Sequence, residues 1–351
     1  MQRSATQPGG RSRRGGVRYH ASRWVVLFGL VVVAFIGTVT TLNLTLYSAS
    51  GFTSSYLDAL ARHDVQGALG FPGVQAAAGG APNSALSARV AAGSSELLVP
   101  PALAELTGIR LLSDTATAPA RHQLEYQYSI DHVTSKSTFV VEHTGARLGF
   151  FSGWRFVESP LATLSITPRN GAHFAANGVS LFSSSGAGMA HGYRVLVPSA
   201  VTLSYSSTYL AAPPQTVLVT QATSAVEATV DIRANTAFTS AVSHELDRYL
   251  VACVTQKVLL PTGCPMGKQI GDRLQDAPTW TMVTYPVVTI GPGTAPNTWQ
   301  MPPTSSMAHL VVKVRSIFDG SLSTVNVDVP FSVQYLITFG ADGSPTITAQ
   351  Y

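Results

Sequence analysis

Between Trp24 and Leu46 the chain runs for 23 residues, WVVLFGLVVVAFIGTVTTLNLTL, without a single charge. As a helix at about 1.5 Å per residue this stretch reaches roughly 34 Å, enough to cross a hydrocarbon core about 30 Å thick. A cleaved secretory signal is the competing reading, with Ser48-Ala49-Ser50 offering small residues to a peptidase. The apolar run exceeds the roughly 7–15 residues of a signal core, so a retained membrane anchor from Trp24 to Leu46 is expected. Either version exports the rest of the chain.

The charges on either side set an orientation. Arg3, Arg11, Arg13, Arg14, Arg18 and Arg23 precede the apolar run, and no acidic residue occurs before Asp58. By the positive-inside rule, Arg11, Arg13, Arg14, Arg18 and Arg23 determine the topology and hold residues 1–23 in the cytoplasm. Rich in Gly, Arg, Ser and Gln, that tail is expected to be disordered. Tyr19 and Trp24 suit one membrane interface and Tyr47 the other. Of the 22 basic residues, removing these six leaves 16 against 18 acidic, a net of −2. The large remainder therefore has no electrostatic footprint for nucleic acid. Only 11% of the residues are charged, against about 25% in an average soluble protein, and Ser, Thr, Ala, Val and Gly take their place. That mixture favours strands with polar, uncharged outer faces.

Cys253 and Cys264 are the only two cysteines. In an exported segment a disulfide is their default state, contributing about 3 kcal/mol in the chain-entropy model. A metal site would need more ligands than two thiols supply, and the spacing is not that of a C-x-x-C redox pair.

Three modules follow the anchor. In residues 51–159, Phe52, Tyr56, Leu57, Leu60, Val65, Ala68 and Leu69 form one helical stripe. Gly79 to Pro82 breaks the pattern and Ser84 to Ala92 resumes it. Gln123–His132, Ser137–His143 and Gly149–Val157 then read as strands, with Tyr126, Tyr128 and Ile130 sharing one face. Residues 160–232 read as all-β: short strands at 164–168, 179–182, 193–197 and 202–205, with turns at Gly171, Asn177-Gly178 and Gly186-Ala187-Gly188. Residues 233–351 open with a helix carrying Phe238, Val242, Leu246, Tyr249, Leu250 and Cys253, with Thr239 or Ser240 as its cap. Strands at 280–290, 309–318, 325–335 and 346–349 follow, with turns at Asp319-Gly320 and Asp342-Gly343.

The segment Tyr56-Leu57-Asp58-Ala59-Leu60-x-x-x-Asp64 resembles the opening helix of the cone-shaped ketosteroid-isomerase-like fold, and Leu148 to Ile166 resembles its closing strand. Both are similar to versions in single-pass envelope proteins of actinobacteria, distantly similar in turn to TcaA-type envelope proteins. Asn177-Gly178-Val179 with Tyr193 to Pro198 resembles the small β-sandwich that follows the first domain there, although Val197-Pro198-Ser199 stands where that family has a Phe-Pro-Gly turn. Cys253…Pro261-Thr262-Gly263-Cys264-Pro265 resembles a stretch of their C-terminal part. The resemblance implies one transmembrane helix and a multi-domain ectodomain, with two α+β cones flanking a small all-β sandwich.

Enzymes of the cone fold use carboxylates and a tyrosine in the cavity. The candidates here are Asp131, His132, Glu142 and His143, with Tyr126 or Tyr128 as hydrogen-bond donors, but strand alternation alone accounts for them. No G-x-S-x-G appears, Ser185 to Gly188 lacks the lysine and helix of a phosphate loop, and His244-Glu245 has no second histidine four residues on. Asn43-Leu44-Thr45 fits a glycosylation sequon but falls inside the membrane run, where it is inert. Gly29 and Gly37 make no G-x-x-x-G pairing motif, so the sequence is silent on oligomeric state. No catalytic, metal or cofactor site is expected. The partners expected are the lipid bilayer and an envelope protein or cell-wall component, for which the chain is a binding or scaffold module. The alternative is a small-molecule-binding or enzymatic domain that uses the cavity of a cone.

Overall fold

The computed structural model describes residues 17–75, 93–147, 149–222, 224–340 and 342–350. The expected helix at Ser84–Ala92, and Arg11, Arg13 and Arg14, lie outside them. One N-terminal helix is long and apolar enough to cross a membrane, and the remainder is mostly sheet, with one sheet curled as a half-barrel. The described chain separates into two compact units, one of residues 1–81 and 105–160, the other of residues 82–104 and 161–351.

In the first unit, helix α1 (Val17–Leu44) carries the apolar run. The span counted on hydropathy is Arg23–Leu44, so Leu46 falls just past it, in a turn. The threonines near its C-terminal end are satisfied by the helix backbone. The hydroxyls of Thr38, Thr40, Thr41 and Thr45 each donate to the carbonyl four residues back, which is what a low-dielectric surrounding requires. Ser48 then accepts from Gly51 N and caps α2 (Ala49–Ala61).

The single helical stripe expected through Leu69 is broken in two. His63 takes a left-handed φ of 57°, and Asp64 accepts from Gly67 N to start the short α3 (Val65–Leu69). The periodicity survived the break because residues on both sides face the same core. Four antiparallel strands follow in sequence order: β1 (Leu106–Ala118), β2 (Arg121–Ile130), β3 (Val133–Arg147) and β4 (Phe151–Phe156). β1 was not expected. Nearly all its side chains are exposed and its register with β2 shifts three times, so it has no alternation to read. β2 alternates as expected, with Leu124, Tyr126, Tyr128 and Ile130 buried against Tyr56, Leu57, Leu60, Phe139 and Phe156. Gly73, at φ 90°, lets the chain pass close under β4: a Cβ there would meet the carbonyl oxygen of Phe156 at 2.3 Å.

The second unit contains two apolar cores. The first lies between a five-stranded and a three-stranded sheet. Their strands are β5 (Leu161–Arg169), β6 (His173–Ala176), β7 (Val179–Phe182), β8 (His191–Leu196), β9 (Ser199–Ser206), β10 (Leu210–Val219), β11 (Ala225–Asp231) and β12 (Arg233–Ala234). Sheet order is β12-β10-β9-β6-β7 in one and β11-β5-β8 in the other, where β11 and β5 are parallel. The Asn177-Gly178 turn joins β6 and β7 as expected, both residues at positive φ. Asn177 does more than turn. Its amide donates to the carbonyls of Ala102 and Ala200 at 2.6 and 2.8 Å and accepts from Thr202 N at 2.7 Å. The peptide bond Val197–Pro198, between β8 and β9, is cis.

The second core forms where α4 (Thr236–Val254) lies on a six-stranded sheet. Asn235, not Thr239 or Ser240, caps α4: its side chain accepts from Phe238 N, which starts the helix one turn earlier. The strands are β13 (Arg273–Leu274), β14 (Thr279–Thr284), β15 (Gly291–Pro292), β16 (Thr298–Arg315), β17 (Leu322–Phe339) and β18 (Pro345–Ala349). The strand expected to reach Ile290 stops at Thr284, shortly before Pro286, which has no N–H to donate. Cys253 and Cys264 sit at disulfide distance, with Cα atoms 5.8 Å apart. The loop they close is also held by Tyr249, whose hydroxyl donates to the Gly263 carbonyl, and by Gln256, which bonds Thr262 through both its nitrogen and its oxygen.

Replacing Asn177 by Ala removes three buried-side hydrogen bonds and strains the backbone at φ 47°. Thermal unfolding of the full chain in detergent is expected to show a loss of roughly 2–4 kcal/mol for Asn177→Ala. Asn177→Gly, which keeps the turn geometry, should lose about 1 kcal/mol less. Equal losses would mean that the turn conformation contributes nothing.

Candidate functional site

The interior of the first unit is filled by rings. Tyr56 contacts Phe71, Phe139 and Phe156 at centroid distances of 5.9, 6.1 and 5.1 Å, and Phe52 reaches Phe156 at 5.0 Å. Such edge and tilted pairs exclude water from the space between helix and sheet. Buried tyrosine hydroxyls then need partners. Tyr126 donates to the Ser50 carbonyl at 2.8 Å and accepts from Ser54 Oγ at 3.0 Å. Tyr128 pairs with Ser137 Oγ at 2.5 Å. Burial pushes both phenols up, Tyr128 to about 12, because the ionised form would lose its hydration.

Next to this packed interior, at one end of the sheet, an open groove of about 350 Å³ remains, lined by Leu46, Tyr47, Phe52, Phe71, Thr144 and Trp154 among others. Trp154 Nε1 donates to the Tyr47 carbonyl at 2.8 Å. His122 and His143 both meet the Trp154 ring edgewise, each at 5.3 Å. Asp114 Oδ1 lies 2.6 Å from His122 Nδ1, a carboxylate that fixes the orientation of the imidazole. A histidine held this way has the geometry of a general base, but no described serine, threonine or cysteine stands bonded to it as a nucleophile. Ser54 is already committed to Tyr126. With about a third of each side chain exposed, the pair contributes little to stability.

The expected candidates are scattered by the fold. Asp131 and His132 are not on a strand: they form the two-residue turn between β2 and β3, at φ 47° and 64°, at the end of β2 opposite His122. Glu142 lies on the other face of the sheet, between Arg155, whose Nε donates at 2.6 Å, and Arg121 at 3.2 Å. These hydrogen bonds, that from Arg155 first, hold its carboxyl below the usual range. Tyr126 and Tyr128 do face inward, and His143 is exposed at the rim against Trp154. Asp114, His122, Trp154 and Ser54 went unread in the sequence. Asp114 lies on the irregular strand β1, and His122 on the first turn of alternation before Leu124.

In the second unit a groove of about 430 Å³ runs between α4 and the edge of the sheet, lined by Ala241, Glu245, Tyr249, Tyr335 and Ile347. Glu245, its one acidic residue, is paired with Arg248. Among the described residues no group of three His, Cys, Asp or Glu side chains is placed to hold a metal ion. No family model, curated protein or solved structure matches the chain.

The raised tyrosines fix an alkaline limb. A phenol whose folded pKa exceeds its unfolded value stabilises the fold below the unfolded pKa and loses that stabilisation as pH rises through the folded one. For Tyr128 the window runs from 10.0 to about 12. Stability of the full chain is expected to fall across it, and Tyr128→Phe should flatten that fall. An unchanged profile in the variant would show that Tyr128 ionises as freely in the folded chain as in the unfolded one.

Proposed function

We propose that this is a single-pass membrane protein whose residues 1–23 face the cytoplasm and whose sheet-rich part works outside it as a non-catalytic binding or scaffold module. Its partner is an envelope protein or a cell-wall component. The arginines before α1, including Arg18 and Arg23, support the orientation. The paired cysteines accord with an oxidising compartment. Helix-on-sheet packing in residues 51–159 and again in 233–351, with the two-sheet region of 160–232 between them in sequence, supports two ketosteroid-isomerase-like cones and a small β-sandwich, as in TcaA-like envelope proteins.

The single observation that carries the non-catalytic reading is the ring packing of Tyr56, Phe139 and Phe156, which fills space between α2 and the sheet that an enclosed substrate cavity would need. What is left is a shallow groove at the rim, suited to contact with a partner. A second reading rests on the Asp114–His122 pair beside that groove: a small-molecule-binding or hydrolytic site at the rim.

Protease added to intact spheroplasts is expected to digest the C-terminal module and spare a tag at residue 1; the reverse pattern sinks the orientation. A photo-crosslinking residue at Thr144, in the groove, is expected to give a discrete envelope adduct in intact cells, while one at Glu125 is not. Turnover of a substrate by the purified full chain, lost on His122→Ala and kept on Asp131→Ala, would replace the binding reading with the rim enzyme.

A further inference from the structure

Asn43, about one and two-thirds turns past Gly37, where the purely apolar stretch of α1 ends, makes two hydrogen bonds that leave the helix. Its Nδ2 donates to the Phe150 carbonyl at 2.8 Å, and its Oδ1 accepts from Ser152 N at 2.9 Å. One side-chain amide thus pairs with the edge of β4 as a neighbouring strand would. Two turns deeper, Phe35 of α1 meets the ring of Phe150 edge-on, with centroids 5.5 Å apart and planes at 88°. Val39, Leu42 and Asn43 are the residues of α1 that lose exposure to this contact, whereas Trp24 to Phe28 and Phe35 to Ile36 stay more than half exposed. Above the contact, Tyr47 stacks on Phe151 at 4.3 Å and its carbonyl takes the Trp154 indole proton.

We propose that the tip of the β3–β4 hairpin is a second membrane element, immersed in the leaflet at the C-terminal end of α1 with Phe150 among the acyl chains. This rests on the reading of α1 as a membrane span. Phe35 stands nine residues before Leu44, about 13 Å down the helix axis at 1.5 Å per residue. A loop that touches Phe35 is therefore carried below the level of Leu44. To keep the tip in water, α1 would have to withdraw everything from Thr38 onward. Only Trp24–Gly37 would then remain as apolar span, about 21 Å of helix against a core of about 30 Å. The tip chemistry suits lipid. Phe150 is 57% exposed and Gly149-Phe150-Phe151 carries no charge, while Arg147, the ladder partner of Phe151, is the charge that bounds the uncharged tip on β3. The backbone groups nearest the helix, the Phe150 carbonyl and the Ser152 amide, have their partner in Asn43, which removes the main cost of placing strand backbone at that depth. Tyr47 and Trp154, with polar groups at one end and rings at the other, mark the headgroup level.

The test uses the full chain in phosphatidylcholine vesicles. With Cys253 and Cys264 paired, an environment-sensitive thiol probe addresses one introduced cysteine at a time. Probes at Phe150→Cys, at Val31→Cys in the middle of α1, and at Val133→Cys beside the β2–β3 turn are challenged with lipids brominated in the acyl chain and with aqueous iodide. Expected is strong quenching by brominated lipid at 31 and 150, and by iodide at 133. Quenching of 150 by iodide alone, with 31 still quenched by lipid, overturns the hairpin and leaves the anchor standing. Iodide quenching at 31 overturns both. Adding Asn43→Ala to the Phe150→Cys chain is expected to shift quenching at 150 from lipid toward iodide; no shift would mean that the amide does not hold the tip in place.

Discussion

The first unit depends on how one hydroxyl is satisfied. Tyr126 sits in the apolar interior, and a phenol there is tolerated only if both its donor and its acceptor capacity are used. Both partners come from the first turn and a half of α2, the Ser50 carbonyl and the Ser54 hydroxyl. That pair fixes where α2 crosses β2. The crossing in turn sets Tyr56 among Phe71, Phe139 and Phe156, and those rings close the space that a cone-shaped sheet could leave open. The groove at the rim is a consequence of the same placement. Because α2 starts only a few residues after α1 ends, with Ser48 as its cap, the hydroxyl also ties the sheet to α1.

What the sequence announced and what it hid follow physical lines. Alternation on β2 and the helical stripe of α4 were legible because each element buries one face and exposes the other. Two long strands were cut short or missed for a shared reason. β10 contains Pro213-Pro214 and β16 contains Pro302-Pro303, and proline in an apolar run argues against a strand. In both, the register skips over the proline pair, between Ala212 and Gln215 and between Met301 and Thr304. A bulge is where a residue without an N–H does no harm, so the prolines mark irregularity inside a strand and not its end. His63, Asp131, His132 and Asn177 show the complementary limit. All take positive φ without being glycine, and of the four only Asn177 carried a sequence cue, from the Gly that follows it.

The candidate site was the least legible part. Glu142 and His143 are adjacent in sequence, and alternation sends them to opposite faces, one into a cluster with Arg121 and Arg155, the other against Trp154. The rim cluster joins Asp114 on β1, His122 on β2, His143 on β3 and Trp154 on β4, so that no window of sequence contains it. Asn43 was hidden differently. As part of Asn-Leu-Thr it resembles a glycosylation site, and in an apolar run it reads as a blemish. Its use is visible only once a strand edge more than a hundred residues away is placed beside it.

The rim groove begins just past the C-terminal end of α1, and this bears on what the proposed binding module can do. Leu46 and Tyr47, the second and third residues after the candidate span, line the groove, so on the proposed reading of α1 as a membrane anchor the groove opens at the height of the membrane surface. A soluble ligand gains nothing from a site at that height. A partner that is itself confined to the membrane gains a great deal, because two tethered partners meet at an effective concentration set by geometry and not by bulk solution. The contacts can then be individually weak, as an open, half-polar groove would make them. In the proposed binding role, position at the bilayer, rather than depth of a pocket, would select the partner.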